Sequence, residues 1–165
     1  MLENFVSQDK RGTFVKTFHA DAFREQRLTT DFQESYYSVS HKDVIRGMHF
    51  QLPPYEHDKL VYVAQGSILD VIVDLRPASA TYKQHVAISL AEHTHAVYIP
   101  KGCAHGFLTL SDIATVVYNV TSVYAPQADA GIRWDSFGFE WPVQAPIISD
   151  RDAAFGSLVA INAAF

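Results

Sequence analysis

The side chains best suited to chemistry in this sequence are its histidines and one lysine. Eight histidines are present, and an imidazole exchanges a proton near neutral pH or ligates a metal ion. His105 ends the run Ile99-Pro100-Lys101-Gly102-Cys103-Ala104-His105, a Pro-Gly turn leading into a strand. His49 stands in His49-Phe50-Gln51, and Lys59 follows it, seven residues ahead of Gly66. His49, His57 and His105 form one set that could hold a metal. Lys59 opposes that reading, because an ammonium cannot coordinate a cation and repels one beside it. His93-Thr94-His95 has the spacing of a ligand pair, but it lies in a polar turn where solvation is the simpler account.

Strands must position these groups. Aromatic residues make up 13% of the chain, led by 11 Phe and 8 Tyr, and such residues favour pleated surfaces. Aromatic or β-branched runs predict strands at Phe32–Val39, Val61–Ala64, Ile68–Leu75, His85–Leu90, Ala96–Ile99, Gly106–Leu110 and Thr115–Val123. Turn signals such as Pro53-Pro54, Gln65-Gly66 and Ala125-Pro126 separate them. A short helix is expected at Asp21–Arg27, and one or two more after Arg151. Many short strands predict an all-β barrel or two-sheet jelly roll with few helices. Between residues 67 and 75 the alternation puts Leu69, Val71, Val73 and Leu75 on one face, and Ile68, Asp70, Ile72 and Asp74 on the other. Asp70 therefore lies either on a solvated face or in a polar pocket. With 165 residues and no repeat, linker or low-complexity tract, the chain reads as one domain over 1–165.

Composition excludes several functions. A net charge of −5 with 19% charged residues leaves no basic track for nucleic acid, although a few arginines or lysines suffice for one diphosphate. No stretch approaches the roughly 20 apolar residues that span a bilayer. The N-terminus lacks a basic region followed by an apolar run. Cys103, the single cysteine, cannot form an internal disulfide. The expectation is a soluble, cytoplasmic protein.

Pro100-x-Gly102-x-x-His105 resembles the second motif of the cupin superfamily, whose histidine binds metal inside a jelly-roll barrel. The first cupin motif carries His-x-His and then Glu ahead of Gly. Here Gln51 replaces the second histidine and Lys59 the glutamate, so the metal site is read as lost. A cupin with His and Lys in that place resembles the dTDP-4-dehydrorhamnose 3,5-epimerase family. The ordered segments are Arg11-Gly12-x-Phe14, Val44–Gln51, Lys59-Leu60-Val61, Asp70–Arg76, Ile99–Phe107, Val117-Tyr118, Tyr124-Ala125-Pro126, Gly131–Trp134 and Ser149–Asp152.

The resemblance implies a cofactor-independent isomerase that inverts C3, C5 or both in a nucleotide-diphospho-4-keto-6-deoxy sugar. It implies His49 as general base, Asp152 as its orienting acid in preference to Asp150, Tyr118 as proton donor and Lys59 as the cation facing the enolate. Arg46 is implied to hold substrate, with His105 and Asp70 supporting the pocket. Arg11, Phe14, Gln51, Lys16, Glu34 and Tyr36 complete the implied substrate contacts. A homodimer whose N-terminal strand crosses to the partner is also implied. The chemistry needs such a set. A C–H beside a ketone loses its proton only if a base reaches the carbon while a cation or donor meets the oxygen. Inversion then requires a second group to deliver a proton from the opposite face.

Two departures stand out. Lys16 replaces the family's usual acid, and Glu34-Ser35-Tyr36 replaces Gln-x-Asn. Both positions lie toward the nucleotide end in the family, so they speak against a standard thymidine pocket. The stretches Gln33–Ser38 and Arg46–Pro54 look closer to a branch acting on GDP-linked 4-keto-6-deoxy-heptoses. Rival readings are a 3,4-ketoisomerase of similar barrel type, a metal-dependent cupin and a non-catalytic sugar-nucleotide binding module.

Overall fold

Alternating strand-forming residues assemble into two five-stranded antiparallel sheets that face each other across a core. The computed structural model describes residues 1–161; residues 162–165, the tail of the expected single domain, lie outside the described residues. The first sheet holds β1 (Leu2–Glu3), β4 (Glu34–His41), β6 (Lys59–Gln65), β9 (His95–Ile99) and β11 (Ile113–Val120), in the order β1-β9-β6-β11-β4. The second holds β5 (Ile45–Gln51), β7 (Ser67–Asp74), β8 (His85–Ala91), β10 (Cys103–Thr109) and β12 (Asp129–Gly131), in the order β12-β5-β10-β7-β8. A hairpin of β2 (Phe5–Asp9) and β3 (Gly12–Lys16) pairs only with itself. This is a cupin-type jelly roll, as the sequence predicts.

Helices are few and short. In α1 (Ala20–Glu25), the His19 ring caps the start by accepting from the Ala22 N–H at 3.4 Å. The helix ends before the expected Arg27, whose φ of 58° is left-handed. Near the C-terminus lie α2 (Asp150–Ala153) and a 3₁₀ turn at Leu158–Ala160, matching the expectation of short helices there. No helix among the described residues is long and apolar enough to cross a membrane.

The seven predicted strands are all present, with ends shifted by a few residues. Strand β5 has no counterpart in the prediction. Its sequence, Ile45-Arg46-Gly47-Met48-His49-Phe50-Gln51, breaks alternation because both faces are covered: Ile45, Met48, Phe50 and Gln51 are all buried. The same double burial explains β7. Val71, Val73 and Leu75 pack under an outer layer that includes Ile132, Phe137, Trp141 and Leu158. Ile68 and Ile72 face inward with Val61, Val63, Phe107 and Tyr118. Asp70 therefore sits in the interior at 0% exposure, and the polar-pocket reading holds over the solvated face.

Candidate active site

The site is built where β5 and β10 close tightly on each other. Gly47 has φ +136°, and a Cβ there would stand 2.5 Å from the Gly106 Cα. Only glycine allows this approach. The β10 register slips between His105 and Phe107, and His49 lies opposite His105. Asp152 arrives from α2, where its N–H is capped by Ser149 Oγ at 3.1 Å. One Asp152 oxygen lies 2.8 Å from His49 Nε2, and the other accepts the Gly47 N–H at 3.0 Å. Asp150, at the exposed start of the helix, makes no such contact.

Protonation states follow from these surroundings. Burial pushes the Asp152 carboxyl up, but the bonds from His49 and Gly47 outweigh it and leave the group below its usual value. Burial pulls His49 below the ordinary imidazole value; Asp152 opposes this only in part, and Lys59 and Arg151 add to the depression. A neutral imidazole thus meets an ionised carboxylate, which can only accept. The His49 proton sits on Nε2, and Nδ1 keeps the free lone pair on a ring that lines the cavity.

The facing sheet supplies the other wall. Tyr118 on β11 is 7% exposed and stacks on Tyr36, with ring centroids 4.8 Å apart. Its ring also meets the His105 ring edge-on at 6.1 Å, and its hydroxyl lies 3.4 Å from Ser38 Oγ. Burial pushes the phenol well above its usual value, so it holds its proton. Lys59 on β6 is buried and donates to the His49 carbonyl at 3.2 Å. Burial brings its pKa down to about 8, against the pull of Asp70 and Asp129. Asp70 Oδ1 lies 2.6 Å from His105 Nε2, while Oδ2 has no hydrogen-bond partner among the described residues. At the rim, Arg46 donates to Ser40 Oγ at 2.8 Å and to the Val39 carbonyl at 3.3 Å.

Two adjoining cavities share His49 and Tyr36. One, of about 240 Å³, is lined by Arg46, His49, His105, Phe107 and Tyr118. The other, of about 290 Å³, reaches outward past Glu34, His57, Tyr124, Asp129 and Arg151. Among the described residues no three His, Cys, Asp or Glu side chains converge as a metal-binding group.

Several expected contacts fall elsewhere. Arg11, Phe14 and Lys16 lie on the β2–β3 hairpin and line neither cavity of their own chain. Arg11 is exposed and pairs with Asp9 at 2.6 Å, Phe14 is 59% exposed, and the Lys16 ammonium lies over the Phe5 ring. The reason is topological: the hairpin pairs with neither sheet, and its Thr13 and Val15 lie near Tyr62, Val63 and Ala64 of β6 rather than at the cavities beside His49. Gln51 lines the outer cavity, but its amide braces two loops, donating to the Tyr55 carbonyl and accepting the Ala125 N–H, both at 2.7 Å. Asp70 reaches the cavity only through His105. Glu34 is partly committed too, one oxygen accepting the Tyr124 N–H at 2.6 Å.

Sequence reasoning named His57 only as a possible metal ligand, and did not assign Ser38, Tyr124, Asp129 or Arg151 to the site. Tyr124 and Arg151 stand inside family-like segments, which was a usable signal. Asp129 had none, because its placement follows from the pairing of β12 with β5.

Comparison with known proteins identifies the family. The family model described as dTDP-4-dehydrorhamnose 3,5-epimerase matches residues 1–159. The dTDP-4-dehydrorhamnose 3,5-epimerase of Shigella flexneri is 40% identical over 156 residues, covering 92% of this chain and 86% of that protein. A crystal structure of the enzyme from Bacillus anthracis with TDP and PPi bound superposes with a TM-score of 0.91 at 38% identity, covering 94% of this chain and 91% of that one. The dTDP-6-deoxy-D-glucose-3,5-epimerase of Legionella pneumophila, in complex with dTDP-4-keto-L-rhamnose, gives 0.91 at 36% identity, covering 98% and 88%. These relatives lend no specific support to the GDP-heptose branch. The chain belongs to the dTDP-4-dehydrorhamnose 3,5-epimerase family, and is an isomerase of that family.

Proposed function

We propose that the protein epimerises C3 and C5 of a dTDP-linked 4-keto-6-deoxy sugar without a cofactor. One observation carries the mechanism: a neutral imidazole and a protonated phenol project from opposite sheets into one cavity, while the buried Lys59 ammonium donates to the backbone carbonyl of that same histidine. His49 Nδ1 removes the proton beside the ketone, and the electron pair moves onto the carbonyl oxygen. Lys59 stabilises the resulting enolate, with Asp152 steadying the imidazolium. Tyr118 returns a proton from the other face, which inverts the centre. His105, held by Asp70, supports the sugar, and Arg46 at the rim holds the diphosphate. Glu34, Tyr36 and Tyr124 line the outward path toward the nucleoside. The bound TDP and dTDP-keto-sugar of the two crystallised relatives support dTDP as the carrier.

Turnover in D₂O with a dTDP-4-keto-6-deoxyhexose tests this. Deuterium is expected at C3 and C5 with the native protein and at neither with His49→Asn. Absence of label with the native enzyme, or full labelling with the variant, overturns the reading. A product whose carbonyl has moved would mark a ketoisomerase instead.

The partner is a second copy. An isolated two-stranded hairpin is marginal in water, yet β2–β3 exposes Phe5, Val6 and Phe14 beside Arg11. Crossing to a second chain would cover those residues and bring Arg11, Phe14 and Lys16 to its substrate. Mixing Arg11→Ala chains with His49→Asn chains should restore activity if the hairpin acts in trans. The same reading places the enzyme in the cytoplasm, in keeping with its lone buried thiol, Cys103.

A further inference from the structure

We propose that Phe155 is a positioning residue for His49, seated in a notch that Gly131 leaves open. The inference rests on His49 being the base. Gly131 lies directly opposite His49 in the β12–β5 register. Its backbone is outside the left-handed region, so nothing in its conformation calls for glycine. Space does: a Cβ there would come within 2.4 Å of the Phe155 ring. That ring meets the His49 imidazole edge-on, with centroids 5.9 Å apart at 73°.

The segment carrying Phe155 is pinned on both sides. Ahead of it, the Arg151 guanidinium lies 5.3 Å over the Phe155 ring and pairs with Asp129. Behind it, the Arg133 N–H donates to the Gly156 carbonyl at 2.8 Å. The side chain of His49 is still 29% exposed, so its wall on this side decides how much water reaches it. Phe155 thus holds the ring against Asp152 and excludes water from that flank. The charged and titratable groups around His49 are Asp152 and Arg151 from α2, Lys59 from β6, Arg46 on its own strand, His105 from β10, Asp129 from β12, Glu34 and Tyr36 from β4, Tyr118 from β11, and His57 and Tyr124 from loops. Phe155 adds no charge to this set, and Arg151, which lies over its ring, is held as well by its pair with Asp129. Removal of Phe155 therefore acts mainly through hydration and alignment.

The experiment combines Phe155→Ala, Gly131→Ala and the double variant, with thermal unfolding to check that each is folded. Phe155→Ala is expected to lower kcat by about 10²-fold, the effect of a misplaced catalytic group, with little change in KM. The acid limb of kcat/KM should move to higher pH, on the order of one unit, because a hydrated imidazole protonates more readily. Gly131→Ala alone should reproduce the defect by expelling the ring. In the Phe155→Ala background it should cost nothing more, since the methyl enters the vacated space. Phe155→Leu, gentler to the fold, should shift the limb the same way by less. An unmoved acid limb, or independent additive losses, overturns the proposal. Loss of deuterium exchange in His49→Asn alongside an unmoved limb in Phe155→Ala would sink the positioning role and leave the base assignment standing. Retained exchange in His49→Asn would sink the base itself.

Discussion

Replacing Asp152 with Asn keeps the shape of the side chain and should nevertheless disable the base. Gly47 N–H points at one carboxylate oxygen from 3.0 Å, and His49 Nε2 lies 2.8 Å from the other. The site is buried, Asp152 being 4% exposed, so both groups need partners. An asparagine can satisfy Gly47 only with its carbonyl, which turns its NH₂ toward His49. Nε2 must then accept, the ring proton moves to Nδ1, and the nitrogen that should take the substrate proton no longer has a lone pair. Losing one hydrogen bond to a charged imidazolium costs about 2 kcal/mol, roughly 30-fold in rate. Trapping the wrong tautomer raises the loss toward about 10⁴-fold in kcat, the scale of the same change in a serine-protease triad. KM should change little. Asp152→Ala, which sets no such trap, should be no slower than Asp152→Asn. The assay is deuterium incorporation at C3 and C5, followed by NMR alongside turnover. If Asp152→Asn keeps more than about a tenth of kcat, or runs faster than Asp152→Ala, the tautomer reasoning is wrong.

Lys59, brought down to about 8 by burial, should set the alkaline limb of kcat/KM, with activity falling as pH rises through that value. Its folded pKa lies below the unfolded 10.5, so the stability penalty is full below about pH 8 and relieved as pH rises toward 10.5. Lys59→Met should therefore stabilise the fold at pH 7, on the order of 3 kcal/mol by denaturant titration, while cutting kcat by about 10²-fold or more. Gly47→Ala should cost at least about 3 kcal/mol, since the new methyl meets the Gly106 backbone; native-like melting would contradict this. Asp74 accepts from Arg76 at 2.8 Å and from Ser79 and Thr81 at 2.6 Å, which holds its carboxyl well below the usual range. That stability is present above the unfolded value of 3.8 and is lost as pH falls further. Asp74→Ala should lower stability by about 3 kcal/mol and leave kcat unchanged.

Much of this protein could be read before any coordinates. Seven strands announced themselves through β-branched and aromatic runs, because strand pairing rewards those side chains locally. The jelly roll followed from their number and spacing. His49, Lys59, Tyr118 and Asp152 could be named as candidates because each stands in a recognisable segment. Strand β5 was not, since a strand covered on both faces and carrying Arg46 and Gly47 shows no alternation. Arg11, Phe14 and Lys16 were named without any indication of where a self-paired hairpin would point.

The sequence by itself determined residue types: an ammonium where a carboxylate ligand would be, an imidazole beside it, strands to carry both. Only the tertiary structure decided which side chains meet. Asp152 reaches His49 across more than a hundred residues of chain, Asp70 turns inward rather than to solvent, and Phe155 seats itself against a glycine. Local sequence sets backbone preference, but desolvation, tautomer and alignment depend on what the opposite strand and the far end of the chain bring to the same few ångströms.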